Sequence, residues 1–326
     1  MATVIHSSMV DIAAAVDALG GMAQKRQLVA RGARDLDLTR AVRSGDVSRA
    51  RQGWYTTLPA ADPRVRAVRV GGRLTGVSAI DRVGGWVLGP HPLHVSVPEN
   101  SARLRNQWNR HRRIGKYTKA GVELHWDSPE LGDRGDNMSV ALADAFVRVI
   151  TDEPLETAVA ALDWALHVGI MDAFDFHDLM QQVPACSRFT ERWVDAECES
   201  LPESLARTRL RLAGHSVVSQ VPVGEVERID LVVDDVVGLE VDGREYHVDR
   251  FEQDRRKDLA ITLAGYHSMR PTARMVFTEW PEVQRGIAIA IAARGGNLSE
   301  IQEFRGSVRA VRRKDAPPRV SSAAES

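Results

Sequence analysis

Cys186 and Cys198 are the only two cysteines in 326 residues. They form no CxxC pair that would suit zinc and are too few for a disulfide framework, so a reducing compartment is expected. Long apolar runs are missing as well. None approaches the roughly 20 residues of a membrane span, and no basic n-region followed by an apolar stretch opens the chain. The expectation is a cytoplasmic protein with no membrane partner. Net charge is also nearly absent, because 43 Lys and Arg face 44 Asp and Glu to leave −1. Any attraction to nucleic acid must therefore come from local patches. A hydrophobic fraction of 44% and a charged fraction of 27% are ordinary for a globular chain long enough for two or three domains.

What is present concentrates in residues 227–258, ERIDLVVDDVVGLEVDGREYHVDRFEQDRRKD. Asp230 lies on one apolar run, Glu240 and Asp242 on the next, and His247 just beyond. Carboxylates at the ends of buried strands are costly to desolvate unless they bind something. Strand alternation tests whether they meet. Glu240 and Asp242 share a face, and a two-residue Asp234-Asp235 hairpin would pair Asp230 with Leu239, sending Asp230 and Glu240 to opposite faces. A three-residue connection or a bulge pairs Asp230 with Glu240, so an odd connection is expected.

In that register Asp230 and Glu240 would ligate Mg²⁺ or Mn²⁺, with the Val241 carbonyl as a third oxygen. Such a cation polarises a phosphodiester and lowers the pKa of the attacking water. Glu203, on the preceding helix, would bind through water or orient the nucleophile. Arg255, Arg256 and Lys257 would neutralise charge in the transition state. His247 would act as general acid or position the phosphate. The plain alternatives are a surface hairpin with ordinary acids and a structural histidine.

Upstream, residues 10–58 read as short helices followed by a β-wing. Ile12, Val16 and Leu19 line one helix face, a second helix covers residues 24–30, and a third covers 37–44 with Asp37 as N-cap and Gly45 as stop. As a winged helix-turn-helix this module would set Arg40 and Arg43 in a DNA groove and Arg49 and Arg51 on phosphates. As a plain three-helix bundle its arginines would only be solvated. Residues 103–119, RLRNQWNRHRRIGKYTK, gather Arg110, Arg112, Arg113 and other cations around Trp108 and Tyr117, which suits a phosphate backbone with base stacking, or a solvated face. Residues 127–137 form a linker candidate, and 139–182 read as helical.

The expected organisation is therefore five segments: 1–60, a winged helix module; 61–136, a mixed middle region with the basic segment; 137–195, a helical connector; 196–295, an α/β domain; and 296–326, a compositionally disordered tail. The α/β domain reads as helix, three strands, helix, strand, helix around a mixed sheet.

Three groups of residues carry resemblances. PES at Pro202, RIDLVV at Arg228, LEVDGREYH at Leu239, FEQDRRKD at Phe251 and AGYHSMR at Ala264 resemble the very-short-patch-repair-like endonucleases of the PD-(D/E)XK restriction-endonuclease superfamily. That resemblance implies a restriction-endonuclease-like sheet flanked by helices and a metal-dependent DNA nuclease, with Glu203, Asp230, Glu240 and Asp242 at the family's acidic positions. The superfamily's lysine two residues after the second acid is here Asp242, which leaves the activating cation to Lys257 or Arg256. RQLVARG at Arg26 and TRAVRSGDVSRARQGWY at Thr39 resemble the winged helix of AbiEi-type antitoxins, which implies DNA contact. RLTGVSAI at Arg73 looks like the segment joining such modules in actinobacterial-type proteins. An antitoxin-type regulator whose nuclease-like domain is inactive is the second reading, and an RNA-directed nuclease a third.

Overall fold

The computed structural model describes residues 10–115, 121–127, 134–223, 227–242 and 251–294. The chain divides into two compact units between Val194 and Asp195. Both mix helices with small sheets, and among the described residues no helix is long and apolar enough to cross a membrane. Both cysteines are free.

The first unit opens with α1 (Ile12–Asp17), β1 (Met22–Gln24), α2 (Lys25–Ala30), α3 (Asp35–Ser44) and the hairpin β2 (Ser48–Arg51) and β3 (Trp54–Thr56). The strands form an antiparallel sheet in the order β1-β3-β2. Ile12, Val16, Leu28, Leu38, Val47 and Tyr55 fill its core, each buried apolar side chain contributing about 1.5–3 kcal/mol before entropic costs. The start of α3 corrects the sequence reading. The helix begins at Asp35, and Asp37 is not its N-cap but its third residue. The Asp37 carboxylate reaches back to the Arg34 backbone N–H at 3.0 Å and to Arg34 Nε at 3.1 Å. An acid three residues into a helix can serve the orphan amide as well as a cap residue can. Gly45 closes α3 at φ +88°, as expected of a left-handed stop.

The same unit continues through α4 (Pro63–Val70), β4 (Arg73–Leu74), α5 (Gly76–Arg82), β5 (Leu93–Pro98), β6 (Val122–Asp127), α6 (Leu142–Asp152), α7 (Leu155–His167), α8 (Ala173–Gln182) and a 3₁₀ run, Ala185–Trp193. β5 pairs antiparallel with β4 and parallel with β6. One core runs through Val70, Ile80, Val95, Phe146, Leu162 and Met180, crossing the expected division at residue 136. Asp127, the first residue of the linker candidate, is instead a buried strand end.

The second unit holds α9 (Leu201–Leu212), β7 (Val217–Val223), β8 (Glu227–Val233), β9 (Val237–Leu239), α10 (Phe251–Leu263), β10 (His267–Met269), α11 (Ala273–Thr278) and α12 (Trp280–Arg294). Its sheet runs β10-β9-β8-β7, with β7, β8 and β9 an antiparallel meander and β10 parallel to β9. The parallel pair requires a crossover, and α10 supplies it. A Cβ on Gly238 of β9 would come within 2.7 Å of Ile261 Cγ2, so the glycine lets α10 lie close on the sheet. α11 was not expected from the sequence; Thr272 caps it by accepting from Met275 N.

Candidate active site

The connection after β8 decides the site. Leu231, Val232 and Val233 pair with Leu239, Gly238 and Val237, leaving Asp234, Asp235 and Val236 as a three-residue connection. Val236 N–H donates to Val233 O at 3.0 Å, and both Asp234 (φ +49°) and Asp235 (φ +55°) are left-handed. Aspartate tolerates that conformation better than most residues with a Cβ. The same register sets Asp230 opposite Glu240.

The two acids then lock together through the backbone. Asp230 N–H donates to Glu240 Oε1 at 3.1 Å, and Val241 N–H donates to Asp230 Oδ2 at 2.8 Å. Each carboxylate keeps its second oxygen for one shared cation. Lys257 Nζ contacts Glu240 Oε2 and lies 4.0 Å from Asp230 Oδ1. Lys257 sits one helical turn before Ile261, so the packing of α10 on Gly238 also brings its ammonium to the acids. Burial pushes the Glu240 carboxyl up to about 7, reinforced by Asp230 and opposed by Lys257; burial also pushes Asp230 up.

Glu203 closes the other side. It is buried in the first turn of α9, and burial together with Asp230 pushes its carboxyl up to about 7. Its oxygens accept from Ser200 Oγ at 2.6 Å, Glu199 N at 3.0 Å and Gln220 Nε2 at 3.4 Å. Glu203 therefore braces Ser200, the N-cap of its helix, and faces Asp230 at once. Glu203 and Val241 line an open cleft of about 650 Å³, with Arg274, Phe277 and Thr278 on its rim.

Several expected residues lie elsewhere. Asp242 does not join the acid pair; its carboxylate bonds Arg270 Nη1 at 3.0 Å. Arg270 also meets Asp254 at 3.3 Å and Asp258 at 2.9 Å. Burial works against the Arg270 charge, but the hydrogen bonds it donates to Asp258 and Asp242 raise its pKa. Arg270, just past β10, holds Asp242 as one of three carboxylates that share its fork. Arg255 pairs with Asp258 at 3.3 Å and Arg256 with Glu252 at 2.7 Å, both pointing along the exposed side of α10. Neither reaches the acids. His247 lies outside the described residues.

Sequence reasoning missed Arg270 and Gln220. Arg270 stood in plain view as a charge interrupting the last strand. Gln220 sits opposite Asp230 in β7 at φ +52°, and the β7–β8 ladder skips that pair. Such strain at a non-glycine residue leaves no mark in sequence.

Among the described residues no three His, Cys, Asp or Glu side chains converge as a closed metal cage. The pair nevertheless suits a hard cation that keeps its waters. Asp230 Oδ1 and Glu240 Oε2 are both turned to the point where Lys257 now puts its charge.

In the first unit, Arg40 and Arg43 are exposed on α3, beside the exposed Leu36. Arg49 is exposed on β2, with its guanidinium 5.7 Å from the Tyr55 ring. Arg51 requires correction. Its guanidinium donates to the carbonyls of Arg69 at 3.3 Å, Val70 at 2.7 Å and Arg103 at 2.7 Å, so it caps α4 and ties down the basic segment. Arg110 donates to Arg49 O at 2.6 Å, while Arg112 and Arg113 are exposed. Trp108 is exposed under the Arg66 guanidinium at 4.2 Å; Tyr117 lies outside the described residues. No family model and no curated protein matches the chain.

Proposed function

We propose that the second unit hydrolyses DNA phosphodiester bonds with Mg²⁺ or Mn²⁺ held by Asp230, Glu240 and the Val241 carbonyl. The observation that carries this reading is the division of labour in the acid pair. Each carboxylate, Glu240 buried and Asp230 partly so, has one oxygen pinned by a backbone N–H and the other turned to a common cation position. A bound divalent ion supplies Lewis-acid polarisation of the phosphate and a water of lowered pKa. Lys257 supplies the cation that Asp242 cannot: Nζ, reaching the pair from α10 instead of β9, can orient a water and offset charge on the phosphate. Glu203, raised to about 7 by burial beside Asp230, can exchange a proton with water in the cleft near neutral pH. The resemblance to very-short-patch-repair-like endonucleases supports the same assignment and a restriction-endonuclease-like sheet. The helices and hairpin of residues 12–56 support a winged helix that holds DNA through Arg40, Arg43 and Arg49. Free thiols agree with a cytoplasmic site of action.

The test is nicking of supercoiled, linear and mismatched DNA with Mg²⁺ or Mn²⁺, comparing wild type with Asp230→Ala, beside DNA binding and metal titration. Metal-dependent nicking lost in the variant is the expected result. One observation favours a second reading. Lys257 already neutralises the acid pair, and an internal cation in that position suits an inactive platform under a DNA-binding regulator. No cleavage, no metal uptake and equal DNA binding by both proteins would establish that second reading.

A further inference from the structure

The basic segment and the hairpin of the first unit together enclose a recess of about 350 Å³. Arg49, Arg51, Arg103, Arg105, Arg110 and His111 line it, and every charged side chain in the lining is basic. Among the described residues, none of these five arginines pairs with a carboxylate. Arg51 anchors the floor, since its guanidinium is spent on three carbonyls. Arg105 N–H holds Val70 O at 3.0 Å and Arg110 holds Arg49 O at 2.6 Å, so the walls are fixed by backbone contacts and not by acids. Burial and the neighbouring Arg105 both lower the Arg51 pKa, the mark of like charges crowded together.

Like charges in a fixed hollow repel unless an anion is there, and the hollow is at the small end of ligand pockets, roughly 300–1,000 Å³. Charge density selects the anion. A phosphodiester carries one charge, spaced about 3.4 Å apart along each strand of a stiff duplex. A phosphate monoester carries about −1.5 to −2 at pH 7 on one group, and linked phosphates carry more. Bidentate guanidinium forks match those oxygens.

We infer that this recess is a binding site for a compact, multiply charged phosphate: a polyphosphate chain or a terminal phosphate monoester. The ligand comes either from a free nucleotide or from the phosphorylated end of a nucleic acid, and its binding is independent of the cleavage chemistry proposed for the second unit. The experiment is calorimetry on full-length Asp230→Asn protein in EDTA at physiological salt, where no cleavage occurs whether or not the nuclease reading holds. The probes are inorganic pyrophosphate, sulfate, ATP, and duplexes with 5′-phosphate or 5′-hydroxyl ends. Pyrophosphate should bind at least tenfold tighter than sulfate and weaken at least tenfold in Arg105→Gln/Arg110→Gln. Arg49→Gln alone should weaken it several-fold, and hydrogen exchange should verify that both variants are folded. ATP that competes with pyrophosphate identifies a free nucleotide as the source, whereas a tenfold preference for the 5′-phosphorylated duplex identifies a nucleic-acid end. Equal pyrophosphate affinity in wild type and folded variants, no preference over sulfate, or failure of both ATP and the 5′-phosphate to compete would overturn the proposal.

Discussion

Two buried polar clusters, one in each unit, show opposite ways of keeping charge inside a protein. In the first unit His94, Ser96, His125 and Asp127 are all buried on β5 and β6. His94 Nδ1 and His125 Nε2 lie 3.1 Å apart, His125 Nδ1 meets Asp152 at 3.2 Å, and His94 Nε2 lies 3.7 Å from Glu153. Ser96 Oγ donates to Asp127, which also accepts from Arg148 at 2.6 Å. Every member has a fixed partner on a neighbouring strand or helix. In the second unit Asp230 and Glu240 share one cation on a flexible four-carbon stem, beside an open cleft. Fully partnered networks specify a core. A pair of acids whose cation can step aside is a place where something else can bind.

The sharpest way to break this comparison is to remove an acid. Glu240→Gln should lower metal-dependent cleavage by more than the roughly 100-fold that outer partners of a metal ligand cost, read as plasmid nicking rate. Next, Lys257→Met should lower the rate by about 100-fold without preventing metal uptake, and Lys257→Arg should restore little, because a planar guanidinium fork does not fit where a compact ammonium reaches both acids. A Lys257→Met protein as fast as wild type would remove the lysine from the chemistry.

The pH dependence of the two clusters should run in opposite directions. Glu203 and Glu240 have folded pKa values raised to about 7 from 4.5, chiefly by burial. Their contribution to stability is complete below 4.5 and is lost as pH rises to about 7. Burial, with His125 and His91 beside it, lowers His94 to about 4 from 6.5. Its contribution is present above 6.5 and is lost as pH falls to about 4, by an amount on the order of 3 kcal/mol. His125 is lowered by burial and Arg148 and acts the same way, whereas burial raises Glu153 and partly opposes it. Hydrogen exchange of the metal-free protein between pH 4.5 and 6.5 should show peptides around β5 and β6 gaining protection as pH rises, while those around β8 and β9 lose it. His94→Gln and Glu240→Gln should each flatten only their own slope, and parallel slopes would refute the assignment.

The smallest effects separate arginines that hold the fold from those that face outward. Arg51→Gln should cost about 1–3 kcal/mol in denaturant unfolding, because it strips three carbonyls, two of them partly buried, of a charged donor. Arg43→Gln should leave stability within about 0.5 kcal/mol while weakening DNA binding by about 1–3 kcal/mol and relaxing its sequence preference, as a groove contact would.

The second unit was largely legible because its signals are local. Alternating apolar residues, helix stops at Gly214 and Gly265, and the face argument at Asp230 and Glu240 all led to the mixed sheet and the three-residue connection. The distribution of charge within it was less legible. Nothing in a one-dimensional pattern says that Arg270 captures Asp242, or that Lys257 and not its neighbour Arg256 turns inward from α10, since both depend on how the helix rolls on the sheet. The first unit hid more. β1 is three residues long, and the histidine network joins residues more than 30 positions apart. Such pairs have no period for a sequence to display.

The connection after β8 has a further consequence for how this chain tolerates change in length. Asp234 is tied at both ends of its carboxylate, to His215 at 2.7 Å and Ser216 N at 2.8 Å, so the turn is measured against the preceding loop as well as against its own strands. Because side chains alternate in steps of two, a change in this turn that slipped the register by one residue would part Asp230 from Glu240 and Leu231 from Leu239 together, so the acid pair and the apolar ladder depend on the same turn. Deletions and insertions in this turn are thus sorted by register: those that keep Val233 opposite Val237 spare both the acids and the core, and those that slip it by one lose both.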